Sequence, residues 1–327
     1  VMDGYAMNYA ELIDSEIQAF IAKTNASYPP DAVDLSIQQQ REVYDRMCAT
    51  FRVAYPDGVS ATDSEIRYTP ATSVPEQAGT QLAIPTRLYT SADTTGRAQI
   101  VYFHGGGFIV GGLESHDDVC AELCARTGLS LTAVDYRLAP EYTHPAAFED
   151  ALAAYSQIVE NSELPVILIG DSAGATLAAA ISHASRGHQS KPLAQILIYP
   201  SLGGDATKGS YLEHADAPML TTKDMDFYHA IVAGDADISR DIRIKPLADT
   251  DFSGLPPTMI VSAQCDPLAD DGRDYRDRIL AAGGEAEWFN EAGLVHGYLR
   301  ARHSSVRAGA SFTRVVETAK CFVDKYA

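Results

Sequence analysis

Apolar residues recur along this chain in two different rhythms. In the first fifty residues Leu12, Ile13, Ile17, Phe20 and Ile21 return at helical spacing, and so do Ile37, Tyr44, Met47, Cys48 and Phe51. The Tyr28-Pro29-Pro30-Asp31 stretch separates these two predicted helices. Past Pro56-Asp57-Gly58 the pattern turns to short strand-like runs, near 65–69 and 81–90. From about residue 98 strands and helices alternate. Ile100–Phe103, Leu129–Val134, Pro165–Ile169, Ile196–Tyr199 and Met259–Val261 are short apolar runs rich in β-branched residues, the signature of strands buried on both faces. Helix-length segments at 114–127, 145–160, 172–186 and 272–283 fall between most of them. This alternation predicts an α/β fold built on a doubly wound, mostly parallel sheet.

One connection is too long for a loop. Some sixty residues separate Tyr199 from Met259, and a helix near 222–233 is expected inside them. The domain reading is therefore a main α/β unit from 52–202 and 248–327, covered by a two-part cap from 1–51 and the insertion 203–247.

Charge and cysteine content narrow the partners. The 327 residues carry 44 Asp plus Glu against 25 Lys plus Arg, a formal charge of −19. Such a field repels nucleic acid and anionic membrane surfaces. No apolar run reaches the length of a membrane span. Cys48, Cys120, Cys124, Cys265 and Cys321 form no CxxC and no zinc-like spacing with histidine, which fits a reducing, cytoplasmic setting and a site without metal. Cys120 and Cys124 share a helical face and are expected to be small buried hydrophobes. No basic region followed by an apolar stretch opens the sequence, so no secretory signal is expected within it; Val1 ahead of Met2 points to a trimmed start, which leaves room for a signal already lost.

Two glycine-rich motifs carry the candidate chemistry. Gly170-Asp171-Ser172-Ala173-Gly174 joins a predicted strand to an alanine-rich helix. In a G-x-S-x-G elbow the serine sits on a strained turn with its hydroxyl exposed, and the following helix N-terminus aims positive charge at a developing oxyanion. His104-Gly105-Gly106-Gly107-Phe108 follows the 100–103 strand. Three consecutive glycines lose much conformational entropy on folding, and a loop of backbone N–H groups facing a ligand oxygen gives them a purpose.

A serine nucleophile needs a base and the base an orienting acid, in the chain order Ser, acid, His for this kind of fold. Asp266 lies just past a predicted strand, where ligands bind in open α/β sheets. Asp270 and Asp271 are rivals, better read as acids at a helix start. Among nine histidines, His296 sits in the loop Gly293-Leu294-Val295-His296-Gly297 after a last strand-like run, Ala286–Phe289. His303 reads as a solvated residue near the terminal helix.

Together these segments resemble the hormone-sensitive-lipase-like family of α/β-hydrolases, especially its bacterial carboxylesterases. The resemblance rests on His104–Phe108, Asp135-Tyr136-Arg137-Leu138-Ala139-Pro140-Glu141, Gly170–Gly174, Asp266-Pro267-Leu268-Ala269-Asp270-Asp271-Gly272 and His296-Gly297, in family order. It implies an α/β-hydrolase fold, Ser172 as nucleophile, His296 as base, Asp266 as orienter, and an oxyanion hole from the N–H groups of Gly105, Gly106 and Ala173. It makes Tyr136–Glu141 a structural turn. Ala269 departs from the basic residue common in relatives, which bears on cap or surface rather than the triad.

The expected reaction is hydrolysis of short-chain acyl esters through an acyl-enzyme, with no metal or organic cofactor. Amide or formamide hydrolysis on the same triad is the alternative, and a non-catalytic ligand receptor a remote one. Phe108, Asp171, Phe20 and Met219 are candidate substrate contacts; Ile17, Met47 and Phe51 share that candidacy through the cap. The −19 charge is expected to favour neutral or cationic esters over anionic ones. A homodimer through 285–290 and the helical 304–325 is expected from an edge strand that needs covering.

Overall fold

The computed structural model describes residues 7–29, 35–70 and 79–327. Pro30 and Asp31 of the predicted break lie outside the described residues. Strands β1 (Ser60–Tyr68), β2 (Leu82–Thr90), β3 (Gln99–Phe103), β4 (Ser130–Val134), β5 (Val166–Asp171), β6 (Ala194–Ile198), β7 (Thr258–Cys265) and β8 (Ala286–Val295) form one sheet in the order β1-β2-β4-β3-β5-β6-β7-β8. β2 runs antiparallel to both β1 and β4, and every pairing from β4 to β8 is parallel. Among the runs read as doubly buried strands, β5 and β6 are buried at every residue, while β4 leaves Ser130 and Thr132 half-buried.

Helices cover both faces because each parallel crossover must return over the sheet. The chain-opening helices are α1 (Tyr9–Leu12), α2 (Ser15–Asn25) and α3 (Ile37–Ala49); α4 (Asp117–Thr127), α5 (Ala146–Glu160) and α6 (Ala173–Ser185) follow within the alternation. The insertion carries α7 (Ser210–Glu213) and α8 (Thr222–Ala233), and α9 (Ala269–Ala281) and α10 (Val306–Tyr326) complete the chain. One core layer joins α2, α4 and α10 to the sheet and contains Cys120 and Cys124; the other joins α5, α6 and α9.

The sheet order bears on the expected interface. β8 is an edge strand. Most of the apolar residues of α10, including Phe312, Val315, Val316 and Ala319, are buried against this chain's own core. Among the described residues no helix is long and apolar enough to cross a membrane.

Candidate active site

Ser172 sits at the junction of β5 and α6 with φ of 53° and ψ of −119°, a conformation that non-glycine residues rarely adopt. Two features enforce the turn. The Ser172 N–H donates to the Ile198 carbonyl of β6 at 2.9 Å. Gly174 lies so close to β3 that a Cβ there would run into the carbonyl of Phe103. The elbow is therefore a consequence of packing a helix start directly onto two strands.

Asp266 and His296 reach Ser172 from the ends of the two strands beyond it. Asp266 follows β7 and is wholly buried; its Oδ1 accepts the Leu268 N–H at 2.9 Å. His296 follows β8, with Nδ1 at 2.6 Å from Asp266 Oδ2 and Nε2 at 2.8 Å from Ser172 Oγ. An ionised Asp266 accepts from Nδ1–H, which leaves Nε2 as the acceptor for the serine hydroxyl. Tyr199 packs its ring 4.8 Å from the His296 ring and limits its rotation.

The rival acids have other partners. Asp270 accepts the Ser210 N–H at 3.0 Å, and the fully buried Asp271 accepts the Leu202 N–H at 2.7 Å and the Tyr211 hydroxyl at 2.9 Å. They are anchors for the insertion rather than simple helix-start acids. His303 is likewise not merely solvated: its Nε2 lies 2.8 Å from Glu122 Oε2.

The glycine loop divides differently from the sequence expectation. Gly105 N–H donates to Asp171 Oδ1 at 2.9 Å, so it is already used and does not face the cavity. Gly106 and Gly107, with φ of 131° and 61°, line the cavity beside Ser172 and Ala173. The Ala173 N–H lies in the first turn of α6, where no intrahelical acceptor exists. His104 stays behind the loop, its ring stacked at 4.3 Å on Tyr136. Burial, with the neighbouring His116, pushes its pKa down to about 4, so it is neutral.

Asp171 also departs from its expected role. It borders the cavity, but its carboxylate receives the Tyr102 hydroxyl at 2.7 Å, the Gly105 N–H and the His116 ring at 3.2 Å. Burial acts to raise this carboxyl; His116, Arg300 and the Tyr102 hydroxyl override it and hold it well below the usual carboxylate range.

A cavity of about 470 Å³ opens above Ser172. Phe20, Met47, Phe108 and Met219 all line it, as do Tyr44, Tyr228 and Arg300, which the sequence reading did not single out. Ile17 and Phe51 do not: Ile17 is wholly buried in the core, and Phe51 supports Phe20 from behind at 5.2 Å between ring centres. Helical periodicity marks the inward face of the chain-opening helices, but it does not separate residues facing a cavity from those facing the sheet. Among the described residues no group of three or more His, Cys, Asp or Glu side chains is placed to hold a metal ion.

Comparisons with known proteins bear on the fold and on the class of reaction. A family model described as alpha/beta hydrolase fold matches residues 100–300. Esterase LipI of Mycobacterium tuberculosis is 37% identical over 268 residues, covering 76% of this chain and 84% of that protein. The ethyl acetate hydrolase of Pseudomonas putida is 30% identical over 245 residues, covering 72% and 77% respectively. Among solved structures, the ester-hydrolase EH1AB1 from the metagenome of Lake Arreo, complexed with a bipyridine phosphonate derivative, superposes with a TM-score of 0.86 at 27% identity, over 96% of this chain and 100% of that one. The chain thus belongs to the hormone-sensitive-lipase-like family of α/β-hydrolases and is a carboxylic ester hydrolase.

Proposed function

We propose that this chain hydrolyses short-chain acyl esters by two-step acyl transfer, with Ser172 as nucleophile, His296 as base and Asp266 as its orienter. The carrying observation is the continuous line of hydrogen bonds from Asp266 through His296 to Ser172 Oγ, at 2.6 and 2.8 Å. In the first step Ser172 Oγ bonds to the ester carbonyl carbon while its proton passes to His296 Nε2. The carbon–oxygen bond to the alcohol then breaks, and that proton leaves with the alcohol. In the second step water attacks the acyl-enzyme, gives its proton to His296, and Ser172 departs with that proton restored.

The oxyanion formed in each step is held by the N–H groups of Gly106, Gly107 and Ala173. This assignment replaces Gly105 with Gly107, because Gly105 already donates to Asp171. One such donor supplies roughly 2.7–4 kcal/mol of transition-state stabilisation. The named activity of the ethyl acetate hydrolase relative supports small acyl and alcohol groups. Five unpaired cysteines, four of them buried, support a reducing compartment such as the cytoplasm. The open edge of β8 supports a homodimer at that side of the sheet.

Turnover of p-nitrophenyl butyrate, absent in a folded Ser172→Ala variant, tests the reading, and near-wild-type turnover in that variant overturns it. Faster cleavage of the matching anilide puts amide hydrolysis first. Failure of an organophosphonate to add its mass at Ser172 leaves the receptor reading in its place.

A further inference from the structure

Arg300 brings a positive charge into the cavity with no carboxylate in ion-pair contact; the Asp171 charge acts on it only from a distance. It lies four residues beyond His296, in the turn Tyr298–Ala301, and lines the same cavity as Ser172. Its guanidinium lies 5.2 Å from the Tyr44 ring centre, and Nη2 donates to Tyr44 Oη at 2.8 Å and to Cys48 Sγ at 3.1 Å. Both partners belong to α3 and are neutral, since burial pushes the Tyr44 phenol and the Cys48 thiol up. Nε is buried and has no hydrogen-bond partner among the described residues, and Nη1 donates to none of them.

The acids that share the cavity are engaged elsewhere. The Asp171 carboxylate is held by Tyr102, Gly105 and His116. Asp224 caps α8, accepting the Thr221 N–H at 2.9 Å and its hydroxyl at 2.7 Å. Among the described residues Arg300 forms no ion pair with any carboxylate. A guanidinium withdrawn from bulk water without an anion in contact is unfavourable, and its Nη1, not used by Tyr44 or Cys48, is left to make a charge-assisted hydrogen bond to a carboxylate. The local charge therefore runs against the expectation drawn from the −19 total, which describes the field outside the cavity.

We propose that Arg300 is an anion-binding residue of the substrate site, and that the preferred esters carry a free carboxylate. This rests on the cavity above Ser172 being the ester site. The carboxylate could belong to the acyl part, as in monoesters of dicarboxylic acids, or to the alcohol part, as in acyl esters of hydroxy acids. The chemistry at Arg300 is the same.

The test compares charged and neutral substrates of similar size. One arm sets the p-nitrophenyl monoester of glutaric acid against p-nitrophenyl butyrate; the other sets 4-butyryloxybenzoate against phenyl butyrate. Arg300→Gln is expected to lower the charged-to-neutral ratio of kcat/KM by about tenfold or more in at least one arm, the scale of a lost charge-assisted hydrogen bond. Arg300→Lys is expected to fall between that variant and wild type. The arm that responds identifies the part of the ester that bears the carboxylate. An unchanged ratio in both arms, or equal losses on charged and neutral esters, overturns the proposal and leaves Arg300 as a tie between α3 and the His296 loop. Inhibition of the wild-type protein decides independently of any variant's folding: 5-oxohexanoate is expected to compete at concentrations about tenfold below those of the neutral ketone 2-heptanone, and equal inhibition overturns the proposal. Failure of the underlying reading appears separately, as neutral-ester hydrolysis that survives Ser172→Ala.

Discussion

Asp171 Oδ1 accepts the backbone N–H of Gly105 at 2.9 Å, joining the residue before the nucleophile to the glycine loop opposite it. The same carboxylate is fixed by Tyr102 and His116, so the elbow and the loop share one buried anchor. Asp171→Asn is expected to lower kcat by up to about 100-fold with little change in KM, because small displacements of the donors matter most in the transition state. Steady-state kinetics on p-nitrophenyl butyrate check this. A change confined to KM would place Asp171 in ground-state substrate contact instead.

Asp266→Asn tests the orienting acid apart from the nucleophile. An amide at that position presents the wrong partner to His296 Nδ1 and favours the unproductive tautomer, so kcat is expected to fall by roughly 10⁴-fold with the fold intact. Circular dichroism together with kcat measures both halves of the expectation, and a loss below tenfold would speak against the role.

Asp271 predicts a pH effect on stability. Burial pushes its pKa up to about 7, against an ordinary value of about 3.9 in an unfolded chain. Between these values the folded chain retains a proton that the unfolded chain has released. Its contribution to stability is therefore full below about pH 4 and is lost as the pH rises toward 7. Urea unfolding from pH 4 to 7 is expected to show a shallower fall in stability for Asp271→Asn than for wild type. Parallel profiles would contradict the expectation.

Gly174→Ala is expected to be severely destabilising, by about 3 kcal/mol, since overpacking between a helix start and a strand has no flexible side chain to move. The new Cβ would meet the Phe103 carbonyl, which is backbone. Thermal unfolding measures this. Gly187, whose Cβ would meet nothing, is the control: Gly187→Ala should leave the melting temperature close to wild type.

Light scattering tests the proposed homodimer. Its expected mass is twice the 35.2 kDa of the chain. A mass of one chain removes the dimer and leaves β8 as an edge that solvent satisfies. A charged substitution on the outer edge of β8 is expected to shift a dimer toward the monomer mass.

What could be read from residues alone was whatever depends on local periodicity and chain order. The strands of the parallel sheet, the α8 helix in the insertion, and the Ser, acid, His sequence were legible because each follows from spacing within a short segment. Asp266 was separable from Asp270 and Asp271 for the same reason, by its place at a strand end. Tertiary structure decided which N–H groups remain free and which side chains share a cavity. Gly105 and Gly106 are alike in sequence, but only the first meets a carboxylate brought from β5. Nothing in the spacing around Arg300 sets it apart; pairing with α3, some 250 positions earlier, holds it as a cation beside the nucleophile with no carboxylate in contact. Such properties arise from contacts between distant segments, where burial removes water and each polar group must find its partner in the folded chain.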